Sequence, residues 1–313
     1  MNFLRLLEKV TNGSTIEIGH TGTTLSFEPG IIKGGIVEHE CNTSRSIGYY
    51  LEPLICIAPF SKLIFKLTLT GVTNDTQDVS VDILRTVNVK LLKLFKIDEG
   101  VELKIKKRGA PPLGGGEVYF TCPIVNSVPA IQLTEEGRIK RIRGIAVATR
   151  VSPQIANRLV ERARSVLNRF IPDINIYTDV YKGSDSGKSP GFSLSLVAES
   201  ATGALLSADA AALPQQTAEE VGITASKLLL NEIKLGGFVD TCHQWMIFLF
   251  MALGPEDVSK VSIGKMTQFS QQFLTDLERV FGVVFKQRKS NSGTSLILTC
   301  VGSGYQNYSR RVQ

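Results

Sequence analysis

One order of elements, an amphipathic helix followed by two strands joined through a glycine-containing turn, recurs three times along the chain and constrains its fold more than any other feature. FLRLLEKV leads to STIEI and TTLSFEPG; VDILRTVNVKLLKLF leads to VELKIKK and EVYFTC; FSQQFLTDLERVF leads to VVFKQRK and TSLILTCVG. In the second helix Ile83, Leu84, Val87, Leu91, Leu94 and Phe95 recur at steps of three and four, with Lys90, Lys93 and Lys96 toward the other side, which is the pattern of a helix covering a sheet. The second and third stretches also share a preceding helix and strand, SIGYYLEPLICIA with KLIFKLTL and CHQWMIFLFMAL with SKVSI, so the full unit reads α-β-α-β-β. The first unit is expected to be incomplete at the N-terminus.

This predicts an α+β fold of repeated units that pack helices on four-stranded sheets. From about Gly144 to Ala210 the pattern changes. Ser152 and Pro153 start a helix, with an oxygen at the cap and a fixed φ at the first helical position. Its expected buried stripe is Ile155, Leu159, Ala163, Val166, Leu167 and Phe170. The strands INIYTDVY, FSLSLVAES and ALLSA follow, which gives a small inserted α/β domain at 144–210, between units one and two at 1–143 and unit three at 211–313.

Lys plus Arg number 35 against 29 Asp plus Glu, a net charge of +6 that favours an acidic partner such as nucleic acid. The five cysteines are scattered and never form a C-x-x-C pair, so neither a disulfide framework nor a structural zinc site is indicated. No apolar run approaches the length of a membrane span. GSDSGKS at 183–189 falls one residue short of a phosphate-binding P-loop and precedes a strand instead of a helix, so it reads as a mobile polar loop carrying Lys182 and Lys188. His39, Cys41, Cys242 and His243 fit strand alternation and a helix start better than two halves of a metal site.

Two stretches attract anions on chemical grounds. GRIKRIRG, 137–144, puts Arg138, Lys140, Arg141 and Arg143 on one strand, expected to be either a solvated edge strand or a contact surface for RNA or protein. RGAPPLGGGEV, 108–118, reads as a glycine bulge in a hairpin or as an anion cradle. In the cradle the N–H groups of Gly114, Gly115 and Gly116 converge and Arg108 supplies a planar fork.

The form R-G-x-x-P-x-G-G-G-x-V in that stretch resembles the signature of the RNA 3′-terminal phosphate cyclase family, matched by Arg108, Gly109, Pro112, Gly114, Gly115, Gly116 and Val118. TTLSFEPGIIKGG, the GVTND turn, FMALG and CVGSGYQN extend the resemblance along nearly the whole chain. Family members use ATP to adenylylate a histidine in the last helical unit before closing an RNA 3′-phosphate on the 2′ oxygen. That position corresponds to about Phe269, and Glu52 stands where cyclases carry glutamine. The details resemble the family's ribosome-biogenesis branch, which implies a nucleolar factor of the small-subunit processome. Such a factor is needed for early pre-rRNA cleavages toward 18S rRNA, binds a ribosome-assembly GTPase, needs no cofactor, and has no membrane partner.

The expected role is a non-cyclase scaffold, with Arg108 and the glycine triplet as anion pocket and Arg141, Arg143 and Lys188 as further contacts to RNA or partner. The alternatives are an endoribonuclease recruiting Asp276, Glu278 and Arg279, and, more remotely, an ATP-dependent cyclase using His243.

Overall fold

A computed structural model describes residues 1–290 and 295–309. Three four-stranded sheets carry the architecture. The first runs, edge to edge, Gly34–Glu40, Leu63–Gly71, Gly116–Cys122, Glu102–Lys107; the third runs Gln132–Leu133, Val258–Ile263, Leu296–Val301, Lys286–Lys289. In both, the first pair is parallel and the other two are antiparallel.

The repeat is therefore β-α-β-α-β-β, with one more opening strand than the helix pattern suggests. Those strands escape the pattern for a physical reason. GGIVEHE alternates as a strand, as His39 and Cys41 suggest, but opens on two positive-φ glycines and carries Ile36 on its exposed side, while Gln132–Leu133 is two residues long. The first unit contributes the helix Asn2–Val10 and a separate hairpin, Thr15–Ile18 with Leu25–Glu28. Thr294, at the head of the run TSLILTCVG, lies outside the described residues.

Helices Ile47–Ile57 and Gln244–Leu253, with the helical run from Val81 to Leu94, join the first and third sheets in one apolar core, where Phe95 stacks on Phe250 at 4.9 Å between centroids. Lys90, Lys93 and Lys96 are exposed, as the periodicity requires. Within that run Leu84–Asn88 is π-helical, and Asn88 at its end is fully buried.

The middle sheet has a different order: Ile174–Tyr181, Ile139–Thr149, Gly191–Ser200, Leu205–Ala211. Its first two strands are parallel and are linked through the helix Pro153–Leu167, capped by the Ser152 hydroxyl as expected. That helix ends at Leu167, so Phe170 lies beyond it and is 48% exposed, outside the stripe assigned to it. A second helix, Ala218–Leu235, packs beside the first, and the two cover one face of the sheet in a separate apolar cluster drawn from Ile139 to Ile233. Its signal was present in the sequence, since Thr217 and Glu220 form a reciprocal capping box.

The basic strand is also corrected. Ile139–Thr149 is an interior strand, paired on one side from Ile142 and on the other along its length. It tolerates arginines because their side chains stay partly exposed and paired: Arg141 meets Glu199 at 2.9 Å and Arg143 meets Asp173 at 2.8 Å, all four partly exposed.

Candidate functional site: the junction between the repeats and the middle sheet

Strand Glu102–Lys107 ends at Arg108, and the chain then turns toward the middle sheet. The guanidinium does not face solvent. Its side chain is 0% exposed, and it donates to Asp82 Oδ2 at 2.5 Å, Asp82 Oδ1 at 2.8 Å and Asp179 Oδ2 at 2.6 Å. Asp82 stands in the first turn after the Ser80 cap, so the pair ties the repeat helix to the middle-sheet strand carrying Asp179. Burial alone would raise the Asp82 carboxyl, but the charge and hydrogen bonds of Arg108 outweigh it and hold the group below the usual carboxylate range.

The glycine triplet continues the junction. The Lys188 amide donates to Gly114 O at 2.9 Å and the Arg108 amide donates to Asp185 O at 3.0 Å, so the loop lies against GSDSGKS. That segment is a short 3₁₀ turn, Gly183–Ser186, seated on the motif, and not a free loop. Gly115 has φ +88° and a Cβ there would stand 3.1 Å from Gly187 Cα. These glycines permit two backbones to touch. Of the contact residues expected from the sequence, the Lys188 side chain is exposed beside this junction, and Arg141 and Arg143 lie on the open face of the middle sheet.

Further polar contacts cross the same seam. Asn74 donates to Asp82 and to Ser193, the Ser80 amide donates to Asp209 at 2.9 Å, and Ser80 and Ser195 hydroxyls meet at 3.1 Å. Beside it opens a cleft of about 660 Å³, walled by Asn74, Pro111 and Pro112 from the repeat side and by Val147, Phe192 and Leu213 from the other.

His243 is 1% exposed at the start of the helix Gln244–Leu253. Its Nδ1 lies 2.6 Å from Asp240 Oδ1 and its Nε2 lies 2.9 Å from Asn88 Oδ1, so neither ring nitrogen faces a substrate. Burial opposes its protonation, yet the Asp240 charge and hydrogen bond prevail and raise it above the ordinary imidazole value. Asp240, which also accepts from Ser207, is correspondingly lowered.

The signs follow from linkage. A raised imidazole contributes stability that is fully present below the unfolded-state value and is lost as pH rises through the folded one. Wild type is therefore expected to lose stability as pH rises above about 6.5, the ordinary imidazole value, relative to His243→Gln, measured as urea midpoints; parallel pH curves would refute the assignment.

Phe269 opens the helix Gln268–Phe281 and is 63% exposed. Its ring stacks on Phe273 at 6.1 Å, Phe273 meets Trp245 edge-on at 5.9 Å, and the Trp245 indole donates to Glu52 at 3.2 Å. Burial raises the half-buried Glu52 carboxyl. Asp276, Glu278 and Arg279 lie on this last helix, with Asp276 accepting from Gln272 and with Glu278 and Arg279 exposed. His39 lies against Asn2, 2.9 Å from its Oδ1.

Two repeated-unit sheets flanking a differently wound one, joined through an R-G-x-x-P-x-G-G-G loop, define the class of RNA 3′-terminal phosphate cyclase folds. The family model described as RNA 3′-terminal phosphate cyclase matches residues 1–287, and the chain belongs to that family. It is similar to the RNA 3′-terminal phosphate cyclase-like protein of Mus musculus, 52% identical over 324 residues, which cover 100% of this chain and 87% of the relative. It is also similar to a probable cyclase-like protein of Dictyostelium discoideum, 47% identical with 99% and 88% covered. An rRNA processing protein of Schizosaccharomyces pombe is 48% identical, with 100% and 87% covered. No helix among the described residues is long and apolar enough to cross a membrane.

Proposed function

We propose that this chain works in rRNA processing as a binding scaffold on the cyclase fold, without cyclase chemistry. The observation that carries this reading is the state of the nucleophile. A phenylalanine ring occupies the position about 269, and the histidine on the preceding helix is buried with both nitrogens engaged. An imidazole held that way can neither approach a nucleotide phosphate nor release a lone pair to attack it. The name of the fission-yeast relative supports the rRNA side of the reading.

The finer proposal places the chain in the nucleolus, in the small-subunit processome, acting in early cleavages toward 18S rRNA together with a ribosome-assembly GTPase and pre-rRNA. Arg141, Arg143 and Lys188 are the cations it would offer to RNA or partner. Arg108 and Gly114, Gly115 and Gly116 serve on this reading as the joint that fixes those cations relative to the repeats. Their buried ion pair and backbone contacts support that role over direct capture of a free anion.

Two experiments test the proposal. Purified protein incubated with labelled ATP is expected to yield no acid-labile adenylylated species, and a labelled band would restore the cyclase. Depletion in the host cell is expected to lower mature 18S rRNA and accumulate its uncut precursors while large-subunit rRNA persists; unchanged 18S levels would defeat the role. A defined pre-rRNA cut by the wild type, and not by Asp276→Asn of unchanged fold, would favour the endoribonuclease instead.

A further inference from the structure

The middle sheet is covered on one face and only half covered on the other. Its helices pack against Ile142, Ala146, Ile176 and Leu196. On the opposite face Ser193, Ser195 and Val197 of one strand are buried at the repeat side, where Ser80 and Asn74 reach them. On the neighbouring two strands the ends carrying Val147, Thr149 and Asp179 also meet the repeat side, where Asp179 binds Arg108, and the cover stops short of their other ends. By strand alternation the same face carries Arg141, Arg143 and Ile145 on one strand and Tyr177 on its parallel neighbour, Ile145 being paired in register with Tyr177. Ile145 is half-buried although it sits on an interior strand, and Tyr177 is 62% exposed.

A lone surface tyrosine needs no explanation, and neither does a lone surface arginine. Their arrangement at the partly exposed end of one sheet face does. Lys90, from the flanking repeat helix, reaches over this end to Glu199, which also receives Arg141, so that helix walls one side with a cation. The ion pairs of Arg141 and Arg143 are exposed and weak in water, and a phosphate can replace the carboxylate at small cost. Rings standing on a sheet surface stack on unpaired bases, and neighbouring cations hold the phosphates between them. A duplex keeps its bases inside and offers no ring face to such a surface.

We propose that this open half of the middle sheet binds single-stranded RNA, with Tyr177 stacking on a base and Arg141, Arg143 and Lys90 contacting the backbone. The proposal rests on the rRNA-processing reading and assigns it a surface.

Fluorescence anisotropy on the full chain tests it, using a labelled 12-nucleotide single-stranded RNA, the same sequence as a duplex, and a polyglutamate peptide. The single strand is expected to bind tightest. Tyr177→Ala should weaken it about tenfold, and Tyr177→Phe, which keeps the ring, should stay within about twofold of wild type. Arg143→Ala should lower the slope of log affinity against log salt by about one. Tyr177 is exposed, so circular dichroism of Tyr177→Ala should match the wild type. Equal affinity for the duplex, preference for polyglutamate, no RNA binding, or an unchanged Tyr177→Ala would each overturn the surface. An 18S defect on depletion combined with unchanged Tyr177→Ala binding would overturn the surface alone and leave the cellular role standing.

Discussion

Replacing Arg108 with alanine is expected to destabilise the protein by about 3–5 kcal/mol, because it strands a fully buried carboxylate. Asp82 is 0% exposed, and its remaining partners, Arg85 at 3.2 Å and Asn74 at 3.3 Å, are longer and fewer than the bidentate fork they would have to replace. The loss should show as a lower urea midpoint and as release of the middle sheet from the repeats, detected by protease cutting near 183–189. A second variant separates charge from volume: Arg108→Met with Asp82→Asn removes both charges and should recover a large part of the stability. If Arg108→Ala alone were as stable as wild type, the ion pair would not hold the seam.

The next largest effect is expected at Gly187. Its backbone, φ 67° and ψ −156°, lies in a region open essentially to glycine alone. A Cβ there would also stand 2.5 Å from Arg108 O and 2.6 Å from Gly114 O. Neither contact can yield cheaply, since both partners are backbone of the signature loop. Gly187→Ala should therefore destabilise by roughly 3 kcal/mol or more, summing backbone strain of about 1–3 kcal/mol and the displaced loop. Gly183, at φ +65° but with nothing near its Cβ, is the control: Gly183→Ala should cost only about 1 kcal/mol, the price of a left-handed backbone. Equal midpoints for the two variants would show that steric closeness at the loop is unimportant.

The repeats were legible because their information is local. Ile83 to Phe95 declare a covered helix by spacing alone, and the Ser152–Pro153 start was found where expected. Of the opening strands, alternation at His39 and Cys41 marked Gly34–Glu40, whereas Gln132–Leu133 could not be read, since it becomes a strand only through its parallel partner Lys260–Val261. The interior position of the basic strand was hidden for a related reason. Charge on both faces argues for an edge only if both faces are otherwise covered, and no local pattern reveals which face stays bare.

The candidate site divides in the same way. RGAPPLGGGEV announced close backbone approach, and this is what Gly115 and Gly187 show. What approaches could not be read, because Asp179 and Gly187 lie 71 and 79 positions away in sequence and nothing near Arg108 names them. The π-helical stretch that turns Asn88 toward His243 has no sequence signal of its own. Tyr177 sat unremarked in INIYTDVY, where alternation placed it on a face without saying whether that face was roofed.

The strand order of the first and third sheets bears on where this polypeptide can be divided. Each of those sheets takes its outermost parallel strand from residues preceding the helix that opens the unit in the sequence pattern. A fragment started at Ser46 would thus leave Leu63–Gly71 with a raw flank of amide and carbonyl groups, inviting other chains to pair there. Fragments meant to stay monomeric should instead start ahead of Gly34 or Gln132.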